Sequence, residues 1–283
     1  MKAPAMRLWT QNIQHWWRAR QNPTASGSPQ VSDLLDKKSL TSVFQPMVDL
    51  RTGAVVGHEA LIRVPRSVGE MSYENLLEAA KEQRCQRQFE MGCVELAIEH
   101  WLVDRPKGQL FVNFSAQTLV ELQQSEGVDT LLQLLRKHKL QPKRMGLDIT
   151  GYTRVSSLTT LVEAVQPLRA AGMTIALDDF KVSDSGMRAW TKVLPNIVKM
   201  APRWTQKVDS DAENSAMVNS LVRLAQNHDC VLLAKSVESE AELRTLRQLG
   251  VDLAQGYFLG SPAPDPISSL NLRARGVLTG VTF

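Results

Sequence analysis

Cysteine is scarce in this sequence. Cys85, Cys93 and Cys230 are the three present, an odd number with no CxxC spacing. A disulfide framework or a zinc cluster is therefore not expected, and the pattern suits the reducing cytoplasm. No run of about 20 apolar residues occurs, so no membrane-spanning helix is expected. Polar Thr10, Gln11, Asn12 and Gln14 interrupt any signal-peptide core near the N-terminus. Charge of one sign is not in large excess either: 33 Lys and Arg stand against 29 Asp and Glu, a net +4 without a long basic run. That balance reads as a mixed, solvated surface and argues against nucleic-acid binding. The Gly-rich phosphate turn of an open doubly wound sheet is missing after the first strand-like run, where Leu50-Arg-Thr-Gly-Ala reads as a hairpin turn.

What is present points to one large α/β unit. The 283 residues are 43% hydrophobic, enough for a sizeable core. Residues 1–35 read as a separate segment. Met6, Trp9, Ile13, Trp16 and Trp17 form an amphipathic helical stripe holding three of the six tryptophans, with Arg7, Arg18 and Arg20 nearby. A polar, Pro-containing linker from Gln21 to Pro29 follows. Such a helix packs back on the main domain, docks a partner or lies on a membrane surface.

From residue 36 to about 270 the rhythm changes. Strand-like runs fall at Ser42–Leu50, Ala54–Arg63, Gln109–Ser115, Arg144–Gly151, Thr174–Phe180, Asn196–Ala201, Cys230–Val237 and Leu253–Gly260. Helical patterns fill the gaps: Tyr73–Trp101 as two helices, then Gln117–His138, Ser157–Ala171, Ser185–Leu194, Arg203–Asn227 and Glu238–Leu249. Eight apolar strands alternating with helices predict a closed (β/α)8 barrel of the TIM type. Residues 271–283 read as a tail without a pattern.

Active sites of such barrels gather at the C-terminal ends of the strands. Glu59, Asn113, Asp148, Asp178, Asp179, Lys199, Lys235 and Gln255 each end, or nearly end, a predicted strand. Crowded carboxylates repel unless cations hold them. An all-oxygen set with one Asn suits Mg²⁺ or Mn²⁺, and the Asp178-Asp179 pair could bridge two ions in phosphodiester hydrolysis. His58 alternates away from the face carrying Glu59 and reads as structural.

The order of these motifs resembles the EAL domain family. Phe44-Gln-Pro-Met-Val-Asp-Leu-Arg-Thr-Gly53 and Gly57-His-Glu-Ala-Leu-Ile-Arg63 match its opening, signature tripeptide included. Asn113-Phe-Ser115, Leu177-Asp-Asp-Phe180, Val198-Lys199 and Gln255-Gly-Tyr-Phe258 match later motifs in order. The resemblance implies a TIM-like barrel, often with one reversed strand, that opens cyclic di-GMP to linear pGpG with Mg²⁺ or Mn²⁺. It implies roles in bacterial signalling such as motility or biofilm control. It makes Glu59, Asn113, Asp148 and Asp178 metal ligands, gives Asp179 to a second metal and sets Lys199 near the attacking water. Gln45, Arg63, Glu238 and Gln255 would lie along the dinucleotide groove, where the planar Arg63 fork suits a phosphate or a guanine edge.

The departures shape the functional expectation. Asp148-Ile-Thr-Gly151 stands where the family has two glutamates, and Asp179-Phe-Lys181 replaces its Gly-bearing loop. Lys235-Ser-Val-Glu238 stands where the family has Glu-Gly-Val-Glu, so an ammonium falls where a cation should bind. Like charges about 4 Å apart repel by roughly 4 kcal/mol at an effective dielectric near 20. The expected protein is a degenerate, non-hydrolysing EAL domain that binds cyclic di-GMP or acts as a regulator through an unidentified protein partner; a homodimer is one arrangement open to it, and any cofactor is Mg²⁺ or Mn²⁺. The alternatives are a weakly active metal-dependent phosphodiesterase and a nucleotide-independent interaction protein. Lys235 is expected to pair with Asp178 or Asp179, or to hold a phosphate directly.

Overall fold

Strands β1 (Thr41–Asp49) and β2 (Val55–Arg63) are joined by the hairpin that the sequence predicts. The Asp49 carboxylate accepts from the N–H groups of Arg51 and Thr52 at 2.9 and 2.7 Å, and the Asp49 N–H donates to the Ala54 carbonyl at 2.9 Å. An Asp at the head of a tight turn satisfies backbone donors in this way. The computed structural model describes residue 31, residues 40–64 and residues 72–279. The expected stripe from Met6 to Trp17 and its linker lie outside these residues.

After the hairpin, strands and helices alternate. Helices α1 (Tyr73–Glu82) and α2 (Gln86–Asp104) precede β3 (Gln109–Ser115). Then come α3 (Ala116–Gln124), α4 (Asp129–Lys137), β4 (Met145–Thr150), α5 (Leu158–Ala170) and β5 (Thr174–Phe180). Helix α6 (Asp184–Val193), β6 (Ile197–Met200), α7 (Pro202–Thr205), α8 (Ala212–Asn227) and β7 (Val231–Ala234) follow. Helix α9 (Glu240–Leu249), β8 (Leu253–Ala254) and α10 (Leu272–Thr279) complete the order. The strands close into a barrel in sequence order. Strand β1 runs antiparallel to β2 and β8; the other neighbours are parallel. The expected barrel is found, and its reversed strand is the first.

Several boundaries differ from the sequence reading. The single helix read over Gln117–His138 is two, broken where Gly127 adopts φ +79. The run read from Arg203 also divides, and Asp211 caps the second part by accepting from the N–H groups of Glu213 and Asn214. A carboxylate at that position satisfies donors a helix start leaves free. The strand read over Leu253–Gly260 is only two residues long, because the chain turns at Gln255 to meet the β7 loop. The C-terminal stretch, patternless in sequence, contains α10, which buries Ala274, Val277 and Leu278 in the main core.

The barrel interior is layered. Met47, Phe111, Ala176, Ile197, Leu233 and Leu253 form an apolar plug. The Phe111 ring fills space left by Gly146, where an added Cβ would lie 2.3 Å from it. Lys199 sits on this plug, its ammonium 5.4 Å from the Phe111 ring centroid. The larger core, with Trp101, Phe114, Phe180 and Trp190, includes the faces between strands and helices.

Candidate functional site

Above the plug, β2, β4 and β6 contribute a buried ionic trio. Lys199 has no exposed surface; its Nζ donates to Glu59 Oε2 at 3.0 Å and to Asp148 Oδ2. Glu59 accepts further bonds from Asn113 Nδ2 and Gln255 Nε2, both at 3.0 Å. Burial alone would raise the Glu59 pKa, but the cations of Lys199 and Lys235 and the donated hydrogen bonds lower it to about 2. Asp148 behaves oppositely. Burial, helped by the charges of Glu59 and Asp178, outweighs Lys199 and raises Asp148 to about 7. Its second oxygen is buried and has no hydrogen-bond partner among the described residues.

A second cation stands at the mouth. Lys235, just beyond β7, donates to both oxygens of Asp178 at 2.7 and 2.9 Å. Burial would lower its pKa, but Asp178 and Glu59 raise it on balance, so Lys235 is charged at neutral pH. Of the partners the sequence allowed, Asp178 is the one it takes. Asp179 is turned elsewhere: its backbone is left-handed (φ +52), its side chain is half exposed, and it pairs with Lys181 at 3.1 Å. Expected beside Asp178 at a second metal, it lies instead in an exposed pair with the cation the sequence singled out.

The loop carrying Lys235 is held firmly. Ser236 adopts φ +59. The Val237 N–H donates to the Gln255 carbonyl at 3.1 Å, and the Phe258 N–H donates to the Val237 carbonyl at 3.0 Å. Glu242 closes the loop from the other side, accepting from the N–H groups of Glu238, Ser239 and Lys207 at 2.8, 3.1 and 3.1 Å. It also completes a capping box with Ser239. The sequence reading did not use this clamp, although its Ser-x-x-Glu spacing could have revealed it.

A cavity of about 410 Å³ opens over this layer. Gln45, Glu59, Arg63, Asn113, Asp178, Lys235, Glu238 and Gln255 line it, together with Ser236, Tyr257 and Pro262. Asp148 and Lys199 lie beneath it, and Asp179 lies outside. Gln45 receives a bond from Gln255 Nε2 at 3.0 Å and donates to the Gly260 carbonyl at 3.3 Å. Arg63 is exposed and donates to its neighbouring Ile62 carbonyl at 3.2 Å. Tyr257, 65% exposed, presents its ring at this rim. His58 is buried on the other face and bonds the Ile267 carbonyl at 2.8 Å, as strand alternation requires.

One polar cluster was not anticipated. Glu90, fully buried on α2, accepts from the Ser115 N–H at 2.7 Å, the Ser115 hydroxyl at 2.9 Å, Gln86 Nε2 at 3.2 Å and the Thr118 hydroxyl. It thereby fixes the turn from β3 into α3, two residues beyond Asn113. Burial outweighs these donors and leaves its pKa raised. A lone Glu among Phe89, Cys93, Val94 and Ala97 on a buried face was the available signal.

These features coincide with a known family. The EAL domain family matches residues 29–262, and this chain belongs to it. Among relatives, the bifunctional diguanylate cyclase/cyclic di-GMP phosphodiesterase MucR of Pseudomonas aeruginosa is 25% identical over 244 residues, 81% of this chain and 34% of MucR. The chain thus spans about a third of the length of such relatives. The solved PaMucR phosphodiesterase with cyclic di-GMP is 25% identical, with a TM-score of 0.72, covering 83% of this chain and 96% of that one. The manganese and cyclic di-GMP complex of Klebsiella pneumoniae BlrP1 shares the fold: 23% identity, TM-score 0.72, covering 82% of this chain and 58% of that one.

The family is metal-dependent, but the residues here do not fit a metal. Lys235 occupies both Asp178 oxygens, and N–H donors occupy both Glu59 oxygens. Among the described residues, the acidic and histidine side chains whose ligand atoms gather within 4.8 Å are Glu95, Glu99 and His138. They lie outside the cavity, and Glu95 already pairs with Lys137. No helix among the described residues is long and apolar enough to cross a membrane.

Proposed function

We propose that this chain is a cytoplasmic, regulatory EAL domain that binds cyclic di-GMP without hydrolysing it and acts through contacts with another protein. The observation that carries this reading is the ion pair between Lys235 and Asp178, with Nζ within 2.9 Å of both carboxylate oxygens. Two-metal hydrolysis needs cations that activate water and hold the leaving oxygen. An ammonium neutralises the carboxylate but lowers no water's pKa as a metal ion does. Binding needs less. The cavity offers the Arg63 fork, the Gln45 and Gln255 amides, the Glu238 carboxylate and the open Tyr257 ring. Together they suit an anionic dinucleotide with planar, donor-bearing bases.

Calorimetric titration with cyclic di-GMP, in Mg²⁺ and then in EDTA, followed by chromatography of the nucleotide, tests this. Binding that survives EDTA with the nucleotide recovered intact is expected. Arg63→Ala should weaken it by about 10-fold or more, as expected for a lost charge-assisted contact. Its melting temperature should change little, because among the described residues the exposed Arg63 guanidinium hydrogen-bonds only the Ile62 carbonyl of its own strand end. Recovery of pGpG in metal alone would make the chain a phosphodiesterase. No heat and no product would leave a protein-binding role without the nucleotide.

A further inference from the structure

We infer that Lys235 is the resident counter-cation of Asp178 and bars a divalent ion from the barrel mouth, so that one substitution in this loop opens a metal site. The inference concerns the free protein and does not depend on which ligand fills the cavity. A divalent ion on Asp178 would have to use the two oxygens that Lys235 Nζ holds at 2.7 and 2.9 Å. Ion and ammonium would then share nearly one position, and their repulsion opposes entry. The backbone that carries the lysine is fixed. Its loop is tied to Gln255 through the Val237 N–H and to Glu242 through the Glu238 and Ser239 N–H groups. The space below is closed by Lys199, a second cation with no exposed surface.

The neighbouring donors point the same way. Glu59 is faced by the amide nitrogens of Asn113 and Gln255 and by the Lys199 ammonium. Hard divalent cations need oxygen ligands turned inward. Here the Asn113 and Gln255 amides and the Lys199 ammonium satisfy the Glu59 carboxylate without an ion.

The test is Mn²⁺ alone, titrated into the full chain without nucleotide and followed by the electron paramagnetic resonance signal of the free ion. The wild-type protein should leave that signal unchanged. Lys235→Glu removes the ammonium and adds a carboxylate, and should bind Mn²⁺ at least about a hundredfold more tightly. EDTA should reverse the uptake, and Asp178→Asn in the Lys235→Glu background should abolish it. Should Lys235→Glu fail to fold, Lys235→Gln removes the charge alone and should still gain Mn²⁺ affinity. Stoichiometric Mn²⁺ uptake by the wild type that Asp178→Asn removes would overturn the inference. So would folded Lys235→Glu and Lys235→Gln proteins that bind no more Mn²⁺ than wild type, or a gain indifferent to Asp178→Asn. Nucleotide affinity is read separately by calorimetry, so failure there leaves this result standing.

Discussion

Replacing Lys199 with Met measures how far the barrel depends on its internal cation. Lys199 is fully buried, donates to Glu59 and Asp148 and rests over the Phe111 ring. Met keeps most of the stem, so the cavity left behind is small and the loss is mainly electrostatic. Removing one partner of a buried ion pair typically costs about 3–5 kcal/mol, because the other charge stays buried and uncompensated. Two carboxylates lose their partner here. Asp148, already raised to about 7, can take a proton and limit the damage. A loss of about 3–4 kcal/mol at neutral pH is therefore expected. At about 2–4 °C per kcal/mol for a domain of this size, the melting temperature should fall by roughly 6–16 °C. Thermal unfolding followed by circular dichroism reads the shift, and urea unfolding reads the free energy. Adding Asp148→Asn removes one stranded charge and should recover about 2 kcal/mol. A Lys199→Met protein melting within about 2 °C of wild type would refute the reasoning, since the carboxylates would then not need this ammonium.

Ser236→Gly should stabilise the fold by about 0.5–1 kcal/mol in urea, because relief of left-handed strain outweighs the added flexibility of the unfolded chain; a loss of stability would contradict the strain assigned at φ +59. Gly256→Ala should destabilise by about 3 kcal/mol, since its Cβ would lie 2.2 Å from the Val237 backbone; an unchanged melting temperature would show that the two loops part easily. Glu90 holds its proton to higher pH in the fold than in the unfolded chain, so its contribution to stability is full below about pH 4.5 and is lost as pH rises through its raised folded value. Unfolding of Glu90→Gln at about pH 5 and pH 8 should show the Gln protein gaining on wild type at the higher pH, and a gap that does not move with pH would count against the raised value.

The barrel was legible because its strands announce themselves as apolar runs and its rim as polar residues ending those runs. Glu59, Asn113, Asp178, Lys235 and Gln255 meet at one cavity because the closed ladder brings their strands together around a common mouth. Burial depth was not legible. Asp148 and Lys199 are fully buried below the cavity, although Asp148 stands level in the ladder with Asn113, which lines it. The fate of Asp179 depends on one backbone dihedral, and two adjacent aspartates in sequence do not say which turns outward. The helix breaks at Gly127 and before Asp211 are local turn signals outweighed by the longer apolar periodicity around them. The helix Leu272–Thr279 has too little periodicity to show itself, and three apolar contacts with the core fix it.

The charges at the barrel mouth also explain how the fold holds its buried carboxylates. Glu59, Asp148 and Asp178 are all buried, and carboxylates this crowded destabilise a barrel unless positive charge stands among them. A metal-dependent site draws part of that charge from solution, so its chemistry and its stability depend on the same ions. Here Lys199 and Lys235 supply it from within the chain. On the proposed reading Lys235 does two things at once: it supplies no ligand to an ion, and it neutralises the Asp178 carboxylate. A neutral side chain at position 235 would leave Asp178 without this partner at 7% exposure. An ammonium within reach of both its oxygens lets that carboxylate persist without an ion, which is the condition the proposed non-hydrolysing role requires.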